Sequence, residues 1–329
     1  MSKYDEPKSI DGLMRYLRDV KGIKIHGSSQ KRKLRNIGYY HGYKGYRYIN
    51  SPSRKISYSD FNQIMAIYEF DMRLKAILYT QIMSIETAIK NYVLEIILKM
   101  SKSGNFNDIY HNLLNGYKGF PIGSDDYVRE LKRRLSLRDS IHIALTKNYT
   151  REKRIIQHYY HKDISVPIWA IFEILSLGEF GVFVQCLDMP TRKQISKDLG
   201  LHISCDANGK LTSSVIYTTK DLRNAIAHNE IIFDTRFRSG HIGKPLIRCV
   251  ELSTAVIGVS FASIVDYFIL IAYLLKCLKA SKLEVQRFIN DFESACENVR
   301  KQIPISIYSQ IIPTDTHRKL SALKSYVKK

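Results

Sequence analysis

Arg223-Asn-Ala-Ile-Ala-His228-Asn-Glu230 is the stretch whose residue types and spacing could do chemistry. A neutral imidazole can take the proton of a ribose 2′-hydroxyl, or return one to a departing 5′-oxygen, near neutral pH. Attack of that hydroxyl on the adjoining phosphate builds negative charge on the phosphoryl oxygens, and a guanidinium fork matches that charge. An asparagine beside the arginine can orient either group. Arg223, Asn224 and His228 would therefore suffice for metal-free cleavage of RNA, provided that a second copy of the chain or the substrate completes the site. On a helix Asn224 and His228 stand at i and i+4 and share a face, while Arg223 lies about 140° away and must bend its long side chain round. The bare spacing recurs at Arg35/His41, Arg151/His158, Arg154/His161 and Arg236/His241. Context separates the central pair from these, because Leu222, Ile226 and Ile231 can pack behind its polar residues.

Two further kinds of residue could serve the same chemistry. A carboxylate near Arg223 could hold its fork, and one near His228 could fix its tautomer. Glu173 sits on an otherwise apolar helix, where a buried carboxylate would need a partner. Glu230, seven residues after Arg223, is nearly on the same face. Glu86, on the long helix, is another candidate for the pocket, with a blander reading as an i,i+4 pair with Lys90 worth a few tenths of a kcal/mol. Substrate contacts are expected from Lys31, Arg32, Lys33, Arg35, Lys44 and Arg47, interleaved with Tyr39, Tyr40, Tyr43, Tyr46 and Tyr48. Cations can track phosphates while aromatic faces stack on unpaired bases. Buried and stacking tyrosines look alike in sequence, and a mixed outcome is expected: Tyr39 and Tyr40 inward, Lys31–Arg35 toward RNA. Lys132, Arg133, Arg134 and Arg138 could extend that groove or form a solvated helix face.

The elements that must position these groups read as helices. Apolar positions 10, 13, 14, 17 and 20 mark one face of a helix over Ile10–Val20. From Asp60 to Met100 there is no Pro or Gly, so one long helix or a kinked pair is expected, with Ser59 or Asp60 as cap. Asp125–Asn148 resumes as helix. Pro167 opens another through Ser176, with Gly178 at its end. Pro190–Leu199, Val215–Asn229, about 252–279 and about 282–299 complete the set. Strand signals are confined to Lys44–Ile49 and Leu246–Val250. Leu252–Leu275 is long enough to cross a membrane, but Asp266 near its centre would cost about 3 kcal/mol there, so a buried core helix fits better. No internal repeat or low-complexity tract is present.

Composition agrees. A chain of 329 residues, 45% hydrophobic, can bury a large core. Its 51 Lys and Arg against 31 Asp and Glu give a formal charge of +20 and a pI near 9.6, which favours a polyanionic partner. RNA, DNA and an anionic membrane all remain open on charge alone. The five cysteines (186, 205, 249, 277, 296) form no Cys-x-x-Cys, and His202-x-x-Cys205 alone cannot make a zinc site. No metal and no cofactor are expected, and the cysteines read as reduced thiols. Met1-Ser-Lys-Tyr-Asp-Glu6 carries no apolar signal segment, so a cytoplasmic location is the expectation.

The motif at Arg223–Glu230 resembles the Arg-x4-His signature of HEPN ribonuclease domains, in the form found in the Abi-D/Abi-F group of bacterial abortive-infection proteins. The blocks Gly38–Arg47, Ala66–Leu74, Ile85–Asn91 and Val166–Gly178 resemble that family's blocks in the family's order, so the likeness spans roughly residues 10 to 240. It implies an all-α, HEPN-like helical bundle with a small basic N-terminal helical extension, a phage-defence role and RNA-cutting ability. Such proteins are regarded as relatives of the ancestors of type VI RNA-targeting CRISPR nucleases, and some are paired with a small non-coding RNA. The expected organisation is a basic, aromatic N-terminal region (1–57), a helical core (58–300) and a basic C-terminal tail (301–329). That tail, with His317, Arg318, Lys319, Lys324, Lys328 and Lys329, reads as a mobile electrostatic arm. The leading expectation is an endoribonuclease toxin, homodimeric because each chain carries one signature, leaving 2′,3′-cyclic phosphate and 5′-hydroxyl ends. A non-cleaving regulator that holds a non-coding RNA is the alternative, and a membrane-active effector a weaker one.

Overall fold

The computed structural model describes residues 8–150 and 154–329; Arg151 and the Met1–Glu6 stretch read above lie outside them. Among the described residues the fold is all-α, with only isolated bridges at Lys24–Asp60, Tyr48–Lys55 and Asn105–Pro167. The N-terminal region forms α1 (Ile10–Arg15), continued by a wide turn over Tyr16–Val20, and α2 (Ser28–Ile37), followed by a second wide turn over Tyr39–Lys44. Helix α3 then runs unbroken from Phe61 to Ser101. The Asp60 side chain caps it by accepting from the Asn62 amide at 2.8 Å, and Lys102 in the left-handed region ends it. At about 1.5 Å per residue it is roughly 60 Å long. It is the spine of the molecule, packing against α9, α10, α12 and α13, defined below.

Helices α4 (Phe106–Asn112), α5 (Asp125–Thr150) and α6 (Arg154–His161) follow, then α7 (Ile168–Ile174) and α8 (Leu177–Cys186). Gly178 does not end a helix. Leu175 leaves helical geometry and Ser176 caps a new helix, in a reciprocal box where Ser176 accepts from the Glu179 amide and Glu179 accepts from that of Ser176. The Ser-x-x-Glu pattern was the available signal. Helix α9 (Met189–Asp198) begins with Pro190 in its first turn, and α10 (Leu211–Ala227) carries the motif. Gly181 lets α8 approach α10 closely, since a Cβ there would lie 2.9 Å from the Tyr217 ring.

The expected helix over 252–279 is two helices, α11 (Lys244–Thr254) and α12 (Ile264–Cys277), and the strand signal at Leu246–Val250 falls inside α11. Asp266 explains the break. Its carboxylate accepts from the amides of Ser260 (3.0 Å) and Phe261 (2.9 Å), which turns the chain before α12. Among the described residues no helix is long and apolar enough to cross a membrane. Helices α13 (Lys282–Arg300), α14 (Ile305–Ile311) and α15 (Thr316–Lys328) close the chain. The mobile-arm reading of the tail is overturned. Leu320, Leu323 and Val327 are buried, and Lys319, 5% exposed, reaches the buried Asp266 at 2.8 Å. One hydrophobic cluster extends from Met14 to Val327.

Candidate functional site

The motif stands at the C-terminal end of α10. The apolar positions of this helix face inward, with Val215, Leu222 and Ala225 buried against α3 and α8, so its polar stripe is left toward solvent. The helix ends as a Schellman turn. Asn229, at φ 54°, takes the left-handed position that asparagine tolerates; its amide donates to Ile226 at 3.1 Å and that of Glu230 to Ala225 at 2.7 Å. His228 is therefore the C-cap residue that follows the helix, exposed, with its amide donating to the Asn224 carbonyl at 2.9 Å.

Arg223 is half-buried, its side chain 34% exposed. Its Nη1 donates to the Asn224 side-chain oxygen at 3.3 Å, which gives Asn224 an orienting role. Its Nε faces Glu86 at 3.5 Å, an ion pair without hydrogen-bond geometry. Glu86, on α3, also pairs with Lys90 at 3.4 Å, and Lys90 donates to the Leu175 carbonyl at 3.1 Å, at the junction of α7 and α8. The carboxylate at Arg223 is thus Glu86, and the i,i+4 pair with Lys90 is only half of its work. Glu173 is exposed, so the argument that it is buried and needs a partner fails. Glu230 lies past the end of α10, not on its face, but it shares a cleft of about 350 Å³ with His228.

That cleft is also lined by Tyr40, His41 and Arg236, bringing the Gly38–Arg47 block onto the motif. Sequence reasoning missed His41 and the network that clamps the two segments together. Asp71, fully buried on α3, accepts from the amides of Ile232 (2.9 Å) and Phe233 (2.8 Å) and from the Tyr46 hydroxyl (2.9 Å). Lys75, one turn on, pairs with Asp71 at 2.8 Å and donates to the Asn229 side chain at 2.9 Å. Arg236 donates to the carbonyls of Gly45 (2.8 Å) and Tyr48 (2.7 Å) while paired with Asp234. No sequence signal set this pair apart, because Asp71 and Lys75 stand among other charged residues of α3 such as Glu69 and Arg73.

The basic, aromatic strip divides by burial. Tyr43 and Tyr46 are buried, which removes Tyr43 as a face for a base. Burial pushes the hydroxyl of half-buried Tyr39 up to about 12. Tyr40 is not inward as expected; it is 70% exposed, with the Lys44 ammonium 4.2 Å from its ring centre. Arg32, Lys33, Arg35 and Arg47 are exposed, and Lys31 pairs with Asp11 at 2.6 Å. Of the second patch, Lys132 and Arg138 are exposed and Arg133 is partly so. Arg134 is buried: it lies 3.7 Å over the Tyr110 ring and donates to the Tyr110 carbonyl, which withdraws it from any contact with RNA. Among the described residues no group of three or more His, Cys, Asp or Glu could hold a metal ion.

No curated protein and no solved structure matches the chain. A family model described as Abi-like protein matches residues 32–234, the stretch from α2 through the motif to the clamp at Asp234, and the chain belongs to this family of abortive infection and phage defence.

Proposed function

We propose that this protein is a metal-independent endoribonuclease of abortive infection, with a HEPN-type site built on Arg223, Asn224 and His228. The observation that carries the reading is the placement of these groups. An imidazole stands free at a cleft, and a guanidinium on the preceding turn of the same helix is held by a carboxylate and an amide. His228 would exchange protons with the ribose 2′-hydroxyl and the leaving 5′-oxygen. Arg223, aimed by Glu86 and Asn224, would meet the charge that develops on the phosphoryl oxygens. Because each chain carries one such pair, two copies related by a twofold axis would meet through the C-terminal ends of α10 and share one scissile phosphate. Arg32, Lys33, Arg35, Lys132 and Arg138, all exposed, would guide the strand, with Tyr40 and Lys44 at the cleft edge. A small non-coding RNA bound along that charge would separate the half-sites or cover them.

A second reading, a regulator that holds RNA without cutting it, is favoured by one observation: Arg223 is already engaged by Glu86 and Asn224. Purified His228→Ala and Arg223→Ala proteins distinguish the two. On the first reading both variants lose cleavage by at least a hundredfold while binding RNA within about threefold of the parent. Parent protein that binds RNA tightly, forms dimers and leaves it intact establishes the regulator instead.

A further inference from the structure

A second polar cavity, of about 140 Å³, lies between α5, α8, α9 and the start of α10. Arg129, Arg133, Arg192 and Lys210 line it, with the Gln185 amide and a single carboxylate, Glu130. That carboxylate pairs with Arg133 and lies 3.6 Å from Arg129, which also pairs with Asp126. Arg192 is the unusual member. It is 9% exposed, its buried Nε has no hydrogen-bond partner, and its guanidinium makes no ion pair. Two other acids stand near it: Asp188 caps α9 through the Thr191 amide at 2.8 Å, and Asp206 accepts from the Leu211 amide at 2.9 Å through Oδ1 while its buried Oδ2 has no hydrogen-bond partner. A buried guanidinium without a partner is costly, and burial holds its pKa below the ordinary value. Gln185 gives its side-chain oxygen to the Tyr217 hydroxyl at 3.3 Å, leaving its amide to donate.

We infer that this cavity is a binding site for a terminal phosphate, a dianionic phosphomonoester seated between Arg192, Lys210, Arg129 and Arg133. The charge chooses the ligand. Four cations set against Glu130 and the Asp126 paired with Arg129 leave a surplus of about two charges; one internal phosphodiester brings a single negative charge, whereas a phosphomonoester brings nearly two. The volume holds a phosphoryl group and leaves its ester outside. Lys210 and His228 bound the same helix, and at about 1.5 Å per residue they are roughly 27 Å apart, so the site is distinct from the cleavage cleft and does not depend on it. The phosphate could belong to the 5′ end of an RNA or to a free nucleotide.

Titration calorimetry on the full chain, at constant ionic strength in chloride, tests this with inorganic phosphate, a nucleoside 5′-monophosphate, and paired RNA oligomers bearing 5′-phosphate or 5′-hydroxyl. Saturable binding of one phosphate per chain is expected, weakened at least tenfold in Arg192→Gln and in Lys210→Ala and unchanged in Lys301→Ala, a surface control. Because Lys210 is exposed, its variant keeps the test valid if Arg192→Gln fails to fold. A preference of tenfold or more for the 5′-phosphorylated oligomer assigns the site to RNA ends. Equal binding of the two oligomers, with tight binding of the monophosphate, assigns it to free nucleotides. Phosphate binding that is absent, or that Lys210→Ala and Lys301→Ala weaken equally, overturns the inference.

Discussion

At the scale of single residues, the site depends on how a guanidinium is held. Arg223 has freedom enough to point into solvent, and Glu86 with Asn224 removes that freedom. Glu86→Gln keeps the shape but removes the charge that faces Arg223 and Lys90. Its expected effect is a fall in kcat of about tenfold to a hundredfold with little change in KM. An unchanged kcat would remove Glu86 from the positioning of Arg223. The motif residues were legible as candidates because few side-chain types suit the proposed chemistry and they sit close together in sequence. Glu86 was legible as a candidate acid but not as the partner of Arg223, since it stands 137 residues before it and only the packing of α3 on α10 brings the two together. Exposed Glu173 misled for a related reason: a short apolar helix can still leave positions facing water, as α7 does at Trp169 and Glu173.

At the scale of elements, the motif is placed by a buried polar network. Asp71 ties the chain just after α10 to α3 and, through Tyr46, to the N-terminal region. Asp71→Ala strands the Lys75 ammonium and two backbone amides in the core, at a cost of about 3–5 kcal/mol. Asp71→Asn is milder but still loosens the turn at Asn229. Urea unfolding should show the full loss for the alanine variant; a change under about 1 kcal/mol would mean that the network is not what fixes the loop. The same logic applies to Lys319 and Asp266. Helix periodicity made α3, α5, α9 and α13 readable from sequence. The split between α11 and α12 was hidden, because apolar residues on both sides of a turn look like one continuous helix. The tail was misread because its lysines were counted, whereas Leu320, Leu323 and Val327, spaced three and four apart, are what dock it.

At the scale of the whole molecule, tyrosine content sets the alkaline limit. Burial pushes Tyr39, Tyr217 and Tyr308 up to about 12 and Tyr46, Tyr58, Tyr267 and Tyr273 further in the same direction. A hydroxyl whose folded pKa lies above its unfolded value of 10.0 contributes stability that is complete below pH 10 and is lost as pH rises toward about 12. Melting temperature should therefore be flat with respect to these groups near neutrality and fall steeply above pH 10. A melting temperature independent of pH from 9 to 12 would contradict the burial described. The formal charge of +20 would draw the polyanion that the proposed function requires. The central claim is that an imidazole and a guanidinium at the end of α10 cut RNA through the neighbouring hydroxyl. The most direct measurement is the chemistry of the product ends, read by mass spectrometry after digestion of a defined RNA by the purified protein in EDTA. The account predicts 2′,3′-cyclic phosphate and 5′-hydroxyl ends, absent with His228→Ala. Ends bearing 3′-hydroxyl and 5′-phosphate, or cleavage that survives the His228 substitution, would contradict it.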